Sequence, residues 1–332
     1  GMHLIKKYGN TYLEIEKDNL LPVHKILDEN YRDHDIAHAV SHTTYKLAEY
    51  LRNSKPDLLV VHGDRGDALA GAIAALSSNI KIAHIEGGES SGTVDEMFRH
   101  AISKLSHLHF VSNISAKQSL VSMGESSKYI YAIGSPELDI LSSTLPSISD
   151  VHNRYNIQFE NYSILIYHSV TTEVLHIKKY VEALCKAVVR SKRNFIVIYP
   201  NNDPGGKEIL QGYKKYFSDL GRFKIFPSLR FEYFLSVLKK CDLIIGNSSC
   251  GVREAPFFGT HSINLGTRQN NRTLNPLIFN IPMDEDSILN ALKLDHTKVI
   301  KKSTEFGDGK SAERFIEVIE NLDIHSIDIQ KT

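Results

Sequence analysis

A two-domain α/β fold with parallel sheets is predicted by three observations. From residue 56 onward, short β-branched runs alternate with helix-length amphipathic runs, the pattern of a parallel sheet covered on both faces. The length of 332 residues suits two ordinary domains better than one core. A polar stretch with a proline, Leu145-Pro146-Ser147-Ile148-Ser149-Asp150, interrupts the alternation and is followed by a new strand pattern.

The elements follow in order. Strands are predicted over 58–62, 80–85, 108–111 and 129–133, with helices over 67–78, 95–107 and 114–123, each opened by a polar or acidic residue suited to a helix N-terminus. After the polar stretch, strands are predicted over 163–167, 195–199, 223–226, 243–245 and 262–265, and helices over 174–190, 207–217, 231–240 and 249–257. Each series reads as one Rossmann-like half, giving domains 1–148 and 149–332, and ligands of such sheets sit beyond the carboxyl ends of the strands, here in a cleft between the halves. The first 55 residues break the pattern: a helix over 35–52 has an apolar face (Ile36, Ala39, Tyr45, Leu47, Leu51), but no central strand precedes it. The first domain is therefore expected to lack its first βαβ segment.

Composition excludes several functions. Basic and acidic side chains number 39 each, so no overall field draws the chain to nucleic acid or an anionic membrane, and any anion is bound locally. Cys185, Cys241 and Cys250 have no metal-ligand spacing and cannot all pair in disulfides, which fits a reducing cytoplasm. Apolar runs fall well short of the roughly 20 residues needed to cross a bilayer, and no signal pattern opens the chain.

Chemistry concentrates at strand ends. The first strand runs into His62-Gly63-Asp64-Arg65 and the second into Glu86-Gly87-Gly88-Glu89, so two neighbouring strands deliver carboxylates to one rim, with glycines that admit a ligand to the backbone. Asp95 follows near a helix start, where a purely helix-stabilising role explains it equally well. Paired carboxylates can be driven to different protonation states and serve as acid and base; strand-end acids are also often simply solvated. In the second half, Gly246-Asn247-Ser248-Ser249-Cys250-Gly251 turns from an apolar strand into a helix bearing Glu254. Backbone amides and two hydroxyls there suit phosphate oxygens, although an ordinary N-cap has the same composition. Glu254 suits two ribose hydroxyls, and Arg268 adds positive charge for a diphosphate. The loop Tyr199-Pro200-Asn201-Asn202-Asp203-Pro204-Gly205-Gly206 is a turn and a candidate cleft loop. Among sixteen histidines, His168 at a strand end is the one placed to act, whereas His107 and His109 read as packing residues.

The runs HGDRGDALAGAIAAL, AHIEGGESSGTVDEMFRHAISKLSHLHFVS and IGSPELD resemble the hydrolysing UDP-N-acetylglucosamine 2-epimerases of bacterial sialic and legionaminic acid synthesis. YPNNDPGG, PSLRFEYF and IGNSSCGVREAPFFGT extend the resemblance through the second half. It implies a glycosyltransferase-B architecture holding a UDP-sugar, and conversion of UDP-N-acetylglucosamine and water into UDP and N-acetylmannosamine through anti elimination and hydration of a glycal. It carries Asp64, Glu86 and Asp95 onto the catalytic carboxylates and His168 onto a cleft histidine. Ser248, Ser249, Gly251, Glu254 and Arg268 fall on UDP-holding positions, and Arg65 on a ligand-contacting arginine. No metal or other cofactor is implied.

The resemblance also implies a Gly-Thr-Arg-type loop before the first residues matched here, a segment the first domain is expected to lack. The exposed sheet surface expected from such a gap points to weak activity, or to a homo-oligomer, dimer or tetramer, that covers it. The histidine-proline pair of the family reads His168-Ser169 here. A UDP-N,N'-diacetylbacillosamine 2-epimerase shares all these motifs. A glycosyltransferase would need an acceptor site in place of the acid trio, and a nucleotide-sugar binder would bind UDP without turnover.

Overall fold

The computed structural model describes residue 4 and residues 12–26, 36–91, 95–142, 144–201, 203–218, 221–270, 272–294, 296 and 301–331. Contacts divide the chain into two compact units, one of residues 1–89, 94–132 and 315–332, the other of 90–93 and 133–314.

The first unit holds helices α1 (Tyr12–Asp18) and α2 (Ile36–Ser54), then β1 (Leu58–His62), α3 (Gly66–Ser77), β2 (Lys81–Ile85), α4 (Asp95–Leu105), β3 (Leu108–Val111), α5 (Ile114–Ser122) and β4 (Ile130–Ala132). The four strands are parallel in the order β1-β2-β3-β4, in register at Val61 with His84, His84 with His109 and His109 with Ile130. Alanine-rich α3 lies flat because Gly71 lets it approach Val61, and Ala72, Ala74, Ala75, Ile82, Ile102 and Leu51 close the core around it. Among the described residues no strand precedes β1. The expectation about a missing first segment concerns positions that lie mostly outside them.

The second unit runs through α6 (Ile148–Tyr155), β5 (Ser163–Ile166), α7 (Ile177–Arg190), β6 (Phe195–Ile198), α8 (Gly206–Phe217), β7 (Phe223–Phe226), α9 (Phe231–Lys240), β8 (Leu243–Gly246), α10 (Glu254–Phe258), β9 (His261–Leu265), β10 (Ile278–Ile281), α11 (Glu285–Lys293) and α12 (Ser311–Asn321), the last continuing into the first unit. Its six strands are all parallel in the order β10-β9-β8-β5-β6-β7. The chain builds outward from β5 on one side, then returns to β8 on the other. The crevice between β5 and β8 is therefore the topological switch point where such sheets bind ligands.

Three expectations differ from the structure. The division by contacts falls at 132/133 rather than 148/149, because Leu138 and Leu141 pack in the second unit's core. Residues 315–332 return to the first unit: Phe315 packs on Phe110 at 4.6 Å, and Lys81 donates to the Ile324 carbonyl. The single helix expected over 249–257 is a 3-10 turn, Ser249–Gly251, followed by α10. Pro256 has no amide hydrogen and is tolerated only in a first helical turn, so the α-helix starts at Glu254. Strand β10 and helices α1, α6, α11 and α12 had no predicted counterpart. Among the described residues no helix is long and apolar enough to cross a membrane.

Candidate functional site

In the first unit the acids are fixed by strand ends and one helix face. Gly63 leaves β1 at φ 78°, with its amide donating to the Ile85 carbonyl at 3.0 Å. Its carbonyl accepts from Nε2 of His84 at 2.9 Å, so this ring carries its proton on Nε2 and takes the Ser103 hydroxyl on Nδ1 at 3.0 Å. Burial lowers the His84 pKa to about 3, which keeps the ring neutral. The turn that presents Asp64 is thus tied to β2 by a backbone bond and an imidazole.

Asp64 pairs with Arg99, a buried arginine of α4 whose other nitrogen donates to the Glu89 carbonyl at 2.8 Å. Asp95 opens α4 one turn before Arg99, on the same face, and Ser103 follows one turn after. Glu86 is buried immediately after β2 in the left-handed region, φ 65°, a strained choice for a non-glycine. Its amide donates to the Phe110 carbonyl at 2.8 Å and its carboxylate lies 3.3 Å from Nε2 of His62. Gly88 must be glycine: at φ 78°, a Cβ would stand 2.3 Å from the Ala116 carbonyl oxygen. Glu89 is buried as well, and accepts from the Ser112 hydroxyl at 2.6 Å. Arg65, exposed at the start of α3, makes no side-chain cap there; Arg99 is the arginine that holds Asp64.

In the second unit the site forms at the switch point. Gly246 ends β8 at φ 140°, and a Cβ there would lie 1.7 Å from the Ile166 carbonyl oxygen, so only glycine lets β8 run against β5. The Asn247 side chain then brackets the next residues of β5: Oδ1 accepts the His168 amide at 2.7 Å and Nδ2 donates to the His168 carbonyl at 2.8 Å. The His168 ring accepts the Asn201 amide on Nδ1 at 3.0 Å, which leaves Nε2 as the protonated nitrogen of the neutral ring. Ser248 and Ser249 follow, half-buried, in the 3-10 turn; Gly251 lies so close to Ser262 that a Cβ would meet its hydroxyl at 2.6 Å. Glu254 is buried at the first position of α10, not well inside a helix as the sequence suggested. Arg268 donates to the Asn247 carbonyl at 3.0 Å, and the buried Gln269 donates to the same oxygen at 2.9 Å.

The structure therefore links Asp64, Asp95 and, through the Glu89 backbone, the Glu86 loop to α4 in one unit, and His168, Ser248 and Arg268 through Asn247 in the other. Arg99 and His84 were not singled out in the sequence reading, and Glu89, Asn201 and Asn247 appeared there only inside their motifs, without roles of their own. Arg99 had a signal, its spacing of four from Asp95; Asn247 had none beyond its place between Gly246 and Ser248. The motif IGSPELD is architectural: Glu137 pairs with the buried Arg253 at 3.1 Å, and Asp139 caps α12 by accepting from the amides of Ser311 and Ala312.

Two Rossmann-like units of parallel sheet, one bearing strand-end acids and the other a hydroxyl turn at its switch point, define an enzyme architecture of the glycosyltransferase-B type. Comparison with known proteins gives the family. The profile of the UDP-N-acetylglucosamine 2-epimerases matches residues 1–320. The chain is 44% identical over 338 residues to the UDP-N-acetylglucosamine 2-epimerase of Neisseria meningitidis serogroup B, covering all of this chain and 88% of that one. It is 38% identical over 335 residues to the hydrolysing UDP-N,N'-diacetylbacillosamine 2-epimerase of Legionella pneumophila, covering 98% of this chain and 88% of that protein. In fold it matches the crystal structure of UDP-GlcNAc 2-epimerase from Neisseria meningitidis bound to UDP-GlcNAc, with TM-score 0.81, 17% identity, and coverage of 94% and 89% of the two chains. The chain belongs to the UDP-N-acetylglucosamine 2-epimerase family.

Proposed function

We propose that the chain is a hydrolysing 2-epimerase that converts UDP-N-acetylglucosamine and water into UDP and N-acetylmannosamine. The observation that carries this is the 44% identity to the Neisseria meningitidis enzyme along the whole chain. The acids supply the chemistry. One carboxylate of the Asp64, Glu86 and Asp95 set takes the C2 proton as the C1–oxygen bond to UDP breaks, giving a glycal. Water then adds its oxygen to C1 while a proton returns to C2 from the opposite face. Proton transfer of this kind needs a positioned base and acid, and carboxylates also stabilise positive charge developing at C1.

The second unit is assigned the nucleotide. Ser248, Ser249, Gly251 and Arg268 hold the diphosphate, Glu254 the ribose, and Arg65 of the first unit contacts the ligand. Charge gathers on the departing diphosphate in the transition state, where preorganised donors contribute most. His168, protonated on Nε2, is such a donor. UDP-sugars place the reaction in the cytoplasm, with the released amino sugar feeding surface polysaccharide, and we assign the enzyme a homo-oligomeric state.

A second reading is favoured by the Legionella pneumophila relative at 38% identity: the same reaction on UDP-N,N'-diacetylbacillosamine. Incubating the protein with each UDP-sugar separately and identifying the released hexosamine by proton NMR tests both. We expect UDP and N-acetylmannosamine, with the higher kcat/KM on UDP-N-acetylglucosamine. Release of free sugar from neither substrate contradicts the function, and preference for the diacetamido sugar selects the second reading.

A further inference from the structure

We propose that Asn247 is a positioning residue that sets the pose of His168 and of Arg268 together, making the histidine and the nucleotide-holding turn one mechanical unit. This rests on the assignment of UDP to the turn after β8.

The β5–β8 ladder ends at the pair Ile166 and Gly246. Beyond it no ladder pairing continues between the two strands, so the β8 backbone no longer bonds the His168 backbone. The Asn247 carboxamide takes that strand's place, accepting at 2.7 Å and donating at 2.8 Å. An amide is suited to this double role because its oxygen only accepts and its nitrogen only donates. With the His168 backbone fixed from β8, its ring meets the Asn201 amide from the loop after β6 at 3.0 Å. The ring is thus oriented by the ends of three adjacent strands, and its Nδ1 is committed as an acceptor.

The backbone of Asn247 does a second job. Its amide donates to the Ile166 carbonyl at 3.1 Å, and its carbonyl accepts from both Arg268 and Gln269. The next two residues are Ser248 and Ser249. A rotation of residue 247 would therefore turn the hydroxyls and break the bonds that Asn247 makes to Arg268 and to the His168 backbone together. With Asn247 1% exposed, solvent cannot take over these bonds.

Asn247→Asp is the sharpest perturbation, since it keeps shape and the acceptor for the His168 amide but sets a second oxygen against the His168 carbonyl. Asn247→Ala removes both bonds without adding charge. The experiment reads the imidazole nitrogens of nitrogen-15-labelled protein, assigned with His168→Gln, alongside UDP affinity by calorimetry and the melting temperature. In the wild type, His168 is expected as a single Nε2–H tautomer. In both variants the ring is expected to become a tautomer mixture, with UDP affinity about tenfold weaker or more. A merely structural residue would lower the melting temperature and leave the ring signals and UDP affinity of the folded protein unchanged, which would overturn the proposal. So would a wild-type His168 protonated on Nδ1, a result that needs no variant to fold. The tautomer readout needs no turnover, so a change in the ring without any UDP binding would refute the nucleotide assignment and leave the positioning role standing.

Discussion

Arg99 is the residue that fixes the Asp64 carboxylate of the first unit. Its guanidinium is buried, holds the Asp64 carboxylate and the Glu89 carbonyl, and lies one helical turn from Asp95. A planar fork serves two such partners where an ammonium serves them poorly. Arg99→Lys is expected to lower kcat about a hundredfold while the protein still folds, because the charge remains but the Asp64 pose does not. Arg99→Met is expected to destabilise by about 3 kcal/mol in chemical denaturation, since it strands a partly buried carboxylate. Wild-type kcat in the lysine variant would contradict this role. At this scale the strand-end acids were legible, because a charged residue after an apolar run stands out. Arg99 and Asn247 were not, because their partners lie 35 and 79 positions away in the chain.

Strand β2 and its neighbours carry a pH signature. His84 is neutral in the folded protein with a pKa near 3, against an ordinary value of 6.5, so the unfolded chain binds more protons and stability falls as pH drops from 6.5 toward 3. Glu125 contributes in a lower window. Burial pushes its carboxyl up, but hydrogen bonds from His109, Lys104 and Lys331 outweigh this and hold it at about 2, so its stabilisation is complete above pH 4.5 and lost between there and 2. That limb is worth roughly 3 kcal/mol. Urea unfolding across a pH series is expected to show both limbs, with Glu125→Gln flattening the lower one and His84→Gln the upper one. Lys331 reaches Glu125 from the last residues of the chain and also donates to the Lys104 carbonyl at 3.0 Å, at the C-terminal end of α4 where a cation is favoured. Gly246→Ala should cost about 3 kcal/mol or more by forcing β8 off β5. Nine strands were legible from β-branched runs. β10 was not, because Phe279-Asn280 between two isoleucines is too short and polar a signal, and the docking of the residues after α12 was not, because Lys81, His107 and Lys331 fix them through backbone carbonyls and Glu125, long-range bonds that no local pattern encodes.

At the scale of the whole molecule the fold class was the most legible feature, since alternation over some 270 residues is redundant where a single element is not. The division between units was less so: Phe315 returns to pack on Phe110, a long-range contact that no local pattern encodes. If the second unit holds the nucleotide, UDP at a hundred times its dissociation constant should stabilise the protein by about 2.7 kcal/mol, read as a raised melting temperature, and Arg268→Ala should abolish most of that rise. The most direct measurement is turnover of UDP-N-acetylglucosamine in deuterium oxide with proton NMR of the released sugar. Elimination and hydration predict N-acetylmannosamine bearing deuterium at C2 in every molecule; a product that keeps its original C2 proton would contradict it.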